Sequence, residues 1–573
     1  MPLAVDLDQR FPRRFVPQDA DMGNWEHIGP LFGRLLDARP ESAEALERWL
    51  EDASELMAAI DEERSRRYIE MTCQTDDPVC EQAYLFYIEQ IVPRVKPLAH
   101  ALDVAYMRSP HRAGLPTRYA VLDRLIDNRV TLFRPENVPL ETEESRLKQQ
   151  YQKITGAMTV SFRGQEHTLP QMARYLEDTD RSLRQEAWEL VARRRLQDRE
   201  ALDELFDRLL GLRERIARNA GFADYRAYAF RQRERFDYTP EDCLRFHEAV
   251  ERTVLPVLRA LHAERRQRLG ADTLRPWDLQ VDPLGRPPLR PFDSSEQLAA
   301  GVEAVLTRIH PEFGQQFRFM RDRLLLDLDS RKGKAPGGYQ STLNERRVPF
   351  IFMNAVGLDD DLRTLLHEGG HAFHMLAARG DPILEYREAP LEFAEVASMA
   401  MELLASPYLG AVYPSVADAR RSYRQSLERS VSVFPWVATI DAFQHWLYTH
   451  PGHSRDERRR AWLATFRRFN ADVDYTGYEE AEAAWWHRQL HLFLAPFYYI
   501  EYGIAQVGAL QIWRRARYDH ADAVRRYRQA LAMGGAQPLP ALFAAAGAEF
   551  DFSERTLGPL IEELAAALEE TRP

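Results

Sequence analysis

The chain has 573 residues, of which 45% are hydrophobic and 29% charged, with a formal net charge of -12. That balance belongs to a folded chain large enough for two or three domains, and it excludes a disordered polymer. The modest acidic excess gives no electrostatic reason to expect nucleic acid as a partner. Three cysteines, Cys73, Cys80 and Cys243, cannot build a disulfide framework, which favours a reducing, intracellular setting. Cys73 and Cys80 are expected to be buried thiols. The opening Met1-Pro2-Leu3-Ala4-Val5-Asp6 lacks a basic-then-apolar signal pattern, and no window has the uninterrupted apolar length that spans a bilayer. The expectation is a cytoplasmic protein with no membrane partner, as a monomer or small homo-oligomer.

Residues 1 to about 25 are polar and proline-containing, and are expected to wrap on the surface. From Trp25 to about Tyr106 the pattern is helical, with Leu46, Trp49, Leu50, Leu56 and Ile60 marking one amphipathic run. The alternation in Ala157-Met158-Thr159-Val160-Ser161-Phe162, the turn Arg163-Gly164 and His167-Thr168-Leu169 predict a short hairpin. Residues 170 to 270 read as helices, with a cap at Asp178-Thr179-Asp180. Pro276, Pro283, Pro287, Pro288 and Pro291 then break the pattern.

A glycine-rich loop, Arg331-Lys332-Gly333-Lys334-Ala335-Pro336-Gly337-Gly338-Tyr339, follows. It lacks the Lys-Ser/Thr ending of a phosphate cradle, which leaves a plain turn or a flexible wall beside a peptide-binding strand. That strand is Val348-Pro349-Phe350-Ile351-Phe352-Met353-Asn354, expected to pair with an extended peptide. Gly337, Gly338, Tyr339, Phe350 and Phe352 are the substrate-contact candidates here.

The stretch Leu365-Leu366-His367-Glu368-Gly369-Gly370-His371-Ala372-Phe373-His374 carries the chemistry. Leu362, Leu365, Leu366, Phe373, Met375 and Leu376 recur at helical spacing, and Asp359, Asp360 and Asp361 suit a helix start. On that helix His367 and His371 share a face one turn apart, so both imidazoles can meet one cation. Glu368 stands beside them, within reach of a water at the metal. Gly369 and Gly370 each cost about 1 kcal/mol in a helix interior, tolerable where a bound substrate or another helix approaches the backbone.

Two histidines leave a catalytic zinc one protein ligand short. A carboxylate from a second helix is the natural supply: Glu385 and Glu388 precede the helix opened by Pro390, Glu392, Glu395 and Glu402 lie on nearly one face of it, and spacing does not choose among the five. Further on, His491-Leu492-Phe493-Leu494-Ala495-Pro496-Phe497-Tyr498-Tyr499-Ile500-Glu501-Tyr502 reads either as an aromatic core or as donors for a developing oxyanion.

These motifs, together with Phe393-Ala394-Glu395-Val396-Ala397-Ser398 and Asp441-Ala442-Phe443-Gln444-His445-Trp446, make the chain resemble the thimet oligopeptidase and oligoendopeptidase F family of zinc metallopeptidases. The likeness covers about residues 110 to 570 and is closer to the oligoendopeptidase branch. It implies a mostly α, clam-like molecule with a deep central channel and small β elements near the zinc helix. The implied division is an N-terminal helical segment at 1–110, an N-terminal lobe at 111–200 and a catalytic domain at 201–573. The implied cofactor is one Zn2+ per chain, held by His367, His371 and Glu395, with Glu402 just behind them. Glu368 is implied as the catalytic base, His491, Tyr499 and Tyr502 as catalytic donors, and Tyr498 as a substrate contact. His374 and His445 are expected to pack on helix faces.

The implied activity is endopeptidase cleavage of short unstructured oligopeptides. A zinc carboxypeptidase on a related helical fold and an inactive peptide-binding protein are the alternatives.

Overall fold

The computed structural model describes residues 5–331, 333–335 and 337–572. Most of them are helical, and they gather into two compact units, each assembled from three separate stretches of chain.

One unit comprises residues 134–289, 424–504 and 551–573. Its hairpin pairs β1 (Thr159–Phe162) with β2 (Gln165–Thr168), antiparallel, with Thr159 opposite Thr168. The turn residues Arg163 and Gly164 have φ of 52° and 77°, the left-handed pair that matches strand twist in a two-residue hairpin. The helix Arg181–Gln197 starts at Asp180, whose carboxylate accepts from the Ser182 amide at 2.9 Å. Trp188, Ala192, Trp277 and Ala481 form a small core. Arg213 is wholly buried in this unit and donates to Glu144 Oε1 at 2.9 Å, Tyr448 Oη at 2.8 Å and the Leu492 carbonyl at 3.1 Å. A buried cation is tolerable only with such a full set of partners.

The other unit comprises residues 1–133, 290–423 and 505–550. Its helix Ala43–Cys73 buries Leu46, Trp49, Leu50, Leu56 and Ile60 against a core shared with the helix Trp25–Asp37. Against the expected surface wrap of residues 1–25, Val16 and Met22 are buried in that core. The segment is held because Glu55 Oε1 accepts from the amides of Arg14, Phe15 and Val16 at 2.8, 3.0 and 2.9 Å.

A three-stranded sheet lies in the same unit: β3 (Leu326–Asp329), β4 (Tyr339–Leu343) and β5 (Val348–Ala355), in the order β3-β5-β4. β5 runs parallel to β3 and antiparallel to β4. Both edges of β5 are therefore occupied, which corrects the expectation that this strand pairs with a peptide. Phe352 is also removed as a side-chain contact: it is fully buried and stacked on Tyr339 at 4.8 Å. Phe350 is half-buried.

Lys332 and Pro336 of the glycine-rich loop lie outside the described residues; of the described ones, Lys334, Ala335 and Gly337 are held by hydrogen bonds. Lys334 Nζ hydrogen-bonds the Asp327 carbonyl at 3.0 Å, Asp327 Oδ1 at 2.8 Å, the Asp329 carbonyl at 2.8 Å and the Met353 carbonyl at 2.6 Å. Asn354 Nδ2 fastens it again, donating to the carbonyls of Ala335 and Gly337 at 2.8 and 3.0 Å. Among the described residues, no helix is long and apolar enough to cross a membrane.

Candidate metal centre

The sheet packs against the helix Asp359–Ala378, which carries the His-Glu-x-x-His motif. Its start is fixed by Asp361, whose Oδ2 accepts from the amides of Val356 and Leu358 at 2.8 Å each. Asp359 is held by Tyr413 Oη at 2.6 Å and by contacts from Ser422 and Arg363. Leu362, Leu365, Leu366, Phe373 and Leu376 are buried at 1% exposure or less, so the apolar stripe fixes the rotation of the helix and points His367 and His371 to one side.

The helix Leu391–Ala405 packs along it, and the two glycines have different tasks at this crossing. A Cβ on Gly370 would lie 2.6 Å from the Ala397 carbonyl oxygen and 2.6 Å from Ser398 Cα. Only a glycine there lets the second helix come close enough to bring Glu395 to the histidines. A Cβ on Gly369 would meet nothing nearer than a Phe373 ring atom at 3.7 Å. The second helix is held from behind by Tyr527, whose hydroxyl donates to the Ala397 carbonyl at 2.6 Å.

The crossing gathers His367, His371 and Glu395, with one ligand atom of each within 4.8 Å of the others. Glu395 Oε2 is 3.3 Å from His367 Nε2 and 3.6 Å from His371 Nε2. The remaining Glu395 environment includes Ser398 Oγ, which donates to Oε2 at 3.1 Å. Glu402 stands one side back, its Oε1 2.8 Å from His367 Nδ1. That bond fixes the imidazole with Nδ1–H towards Glu402 and leaves Nε2 as the lone-pair donor. The His371 ring is oriented likewise by a hydrogen bond to the Ala394 backbone.

Burial opposes charge on His367, yet the Glu395 and Glu402 carboxylates raise its pKa well above the ordinary value. Burial takes His371 down to about 4 and His374 to about 3. Two carboxylates converging on one buried imidazole require a positive charge among them. A proton on His367 supplies one; a dication between the three donors supplies it better and leaves both imidazoles neutral. Two imidazole nitrogens and a carboxylate oxygen are a donor set that suits zinc.

Glu368 is buried beside this group, and burial pushes its carboxyl up to about 7. His367 pulls it down, Glu395 adds to the rise, and a hydrogen bond from the Gln340 backbone pulls down again. A carboxyl poised near neutrality can both accept and return a proton. The β4 amide on Glu368 is a site feature that motif reading misses, because it comes from a main-chain group; the position of β4 just after the glycine-rich loop is its only trace in sequence.

The other expected residues are placed as follows. Tyr339 packs between Tyr68 and Phe352, its hydroxyl 2.6 Å from Thr72 Oγ1. A Cβ added at Gly337 would meet nothing within 4 Å, and one at Gly338 would lie against Thr364 and the Phe352 carbonyl. His491, Tyr498, Tyr499 and Tyr502 belong to the other unit. There they form one aromatic cluster, with His491 ring distances of 5.3, 4.9 and 5.9 Å to the three tyrosines in order. Gln489 Nε2 lies 2.7 Å from His491 Nδ1. The turn before the tyrosines is held at Phe497, which has φ 62° and donates its amide to Gln444 Oε1 at 2.6 Å.

Several known proteins are similar to this chain. An oligoendopeptidase F of Lactococcus lactis subsp. cremoris is 28% identical over 26% of this chain and 24% of its own. An oligoendopeptidase F homolog of Borreliella burgdorferi is 26% identical over 50% of this chain and 49% of its own. The chain thus spans at most about half the length of these curated relatives. The solved structure of Pz peptidase A with an inhibitor superposes with a TM-score of 0.91 at 28% identity, covering 97% of this chain and 99% of that one. Residues 21–133 match the peptidase M3 N-terminal domain. Residues 174–558, well over half of the chain, match peptidase family M3 itself, and the chain belongs to that family.

Proposed function

We propose that this chain is a zinc-dependent endopeptidase that hydrolyses internal bonds of short, unstructured oligopeptides. The observation that carries the reading is the convergence of His367, His371 and Glu395 donor atoms within 4.8 Å, next to a buried carboxyl on Glu368. Membership of peptidase family M3 supports peptide hydrolysis, and the relatives named oligoendopeptidase F support oligopeptides as the substrate class.

His367, His371 and Glu395 would hold the ion, and Glu402 keeps His367 in the tautomer that presents Nε2. Bound there, zinc supplies Lewis acidity and lowers the pKa of a water towards about 7. Glu368 removes a proton from the attacking water and returns it to the departing amine. The Gln340 amide steadies the ionised form of that carboxylate. β4 has β5 as its only strand partner among the described strands, and its other edge, beside Gly337 and Gly338, is the proposed place for the main chain of an extended peptide, with the Gln340 amide kept for Glu368. Main-chain pairing gives broad tolerance for side chains.

The test is an internally quenched peptide with both ends blocked. Cleavage is expected, lost with a chelator and restored by zinc. Glu368→Gln should lower kcat by roughly 10²–10⁴-fold with the metal retained. Release of C-terminal residues alone from unblocked peptides would support a carboxypeptidase instead, and binding without cleavage would support the peptide-binding protein.

A further inference from the structure

The unit formed by residues 134–289, 424–504 and 551–573 holds a second group of ligating side chains that the proposed peptidase site does not use. Cys243 and His247 stand four apart on the helix Pro240–Ala249. Asp441 and His445 stand four apart near the end of the helix Val416–Thr449. Each pair therefore lies on one helix face, and the two faces meet: one ligand atom each from Cys243, Asp441 and His445 lies within 4.8 Å of the other two. His247 Nε2 is 2.9 Å from Asp441 Oδ2. The four residues are 0%, 1%, 0% and 4% exposed in chain order.

Packing alone does not account for this group. His445 Nδ1 and Nε2 and Asp441 Oδ1 are buried with no hydrogen-bond partner. His445 Nε2 approaches Asp441 Oδ2 at 3.3 Å without the alignment of a hydrogen bond. With Nε2 facing Asp441, His445 Nδ1 and Asp441 Oδ1 remain as two stranded polar atoms at one buried point, beside a thiol, and they are costly unless something binds them. Asp441 is held by His247, the arrangement in which a neighbour orients a ligating carboxylate.

We propose that Cys243, Asp441 and His445 form a second metal site, with zinc as its ion and His247 as the positioning residue for Asp441. A thiolate, an imidazole and a carboxylate match the ligand preference of zinc. Binding requires only that the Cys243 thiol release its proton to solvent as the sulfur–metal bond forms. No oxidant or reductant is needed. Three protein donors leave the fourth position of a tetrahedral zinc to a water, and because all four residues are buried the role is structural: the site fastens the 240–249 helix to the 424–449 part of the neighbouring helix.

The site is separable from the proposed peptidase centre by experiment. The His367→Ala/His371→Ala double variant of the full chain, isolated with zinc present, is expected to retain about one equivalent of metal where the native chain carries about two. Adding Cys243→Ser should remove the remaining equivalent. Cobalt substitution gives a second readout: a near-ultraviolet sulfur-to-cobalt charge-transfer band is expected in the double variant and absent after Cys243→Ser or Cys243→Ala. His247→Gln should weaken binding at this site roughly 10–100-fold in a chelator competition, with unchanged far-ultraviolet circular dichroism. A metal-free double variant, or cobalt-loaded protein whose sulfur band survives loss of Cys243, would overturn the second site. If the native chain and the double variant each hold about one equivalent, the second site stands and the zinc peptidase reading fails.

Discussion

At the residue scale the proposed metal centre is set by what sits behind its three donors. Glu402 has no place among the three converging donors, yet its bond to His367 Nδ1 decides which nitrogen would face an ion there. Glu402→Gln keeps size and removes the charge, and it should weaken zinc binding roughly 10–100-fold, read by competition with a chromophoric chelator; unchanged affinity would contradict the tautomer argument. His374 is a separate case. Burial holds its folded pKa at about 3, below the ordinary value of about 6.5. Between those values the unfolded chain binds a proton that the folded chain refuses. The stability from a neutral His374 is complete above about pH 6.5 and falls by about 1.4 kcal/mol per pH unit as acid approaches pH 3. Urea denaturation of the chelated protein should show this acid limb, with a shallower slope in His374→Gln. Identical slopes would contradict the assignment.

At the element scale the crossing of the 359–378 and 391–405 helices governs the geometry, and the Gly369-Gly370 pair tests it. Gly370→Ala drives a methyl into the Ala397–Ser398 backbone at 2.6 Å. It should cost about 1–3 kcal/mol of stability and weaken the metal by moving Glu395 outward. Gly369→Ala meets only ordinary contacts and should gain up to about 1 kcal/mol from helix propensity. Denaturant titrations of the two variants must differ in sign; equal effects would mean that the close approach is not what the glycine serves. Much of this element was legible beforehand. The apolar spacing from Leu362 to Leu376, the aspartates at the helix start and the i,i+4 histidines all describe local structure. Spacing did not choose between Glu395 and Glu402, because both lie on nearly one face of their helix; the family resemblance alone pointed to Glu395. Only the crossing, fixed by Gly370, separates the oxygen facing both Nε2 atoms from the oxygen facing Nδ1. β5 misled for a related reason: an apolar run does not say which strands flank it, and β3 and β4 take both of its edges.

At the scale of the whole molecule, each compact unit is built from three stretches that are far apart in the chain. No local composition signal encodes such interleaving. Arg213 shows the consequence: in sequence it is one arginine among many, and in the fold it is a buried cation joining Glu144, Tyr448 and the Leu492 carbonyl. The Cys243, His247, Asp441 and His445 group was hidden likewise, since each i,i+4 pair is unremarkable until the two helices meet. The account rests on a dication seated among His367, His371 and Glu395, and the most direct measurement is an anomalous difference map at the zinc edge from crystals of active protein. A peak is predicted within bonding distance of both Nε2 atoms and the Glu395 carboxylate. Active crystals without density at that point, or with Glu395 turned away from it, would contradict the account.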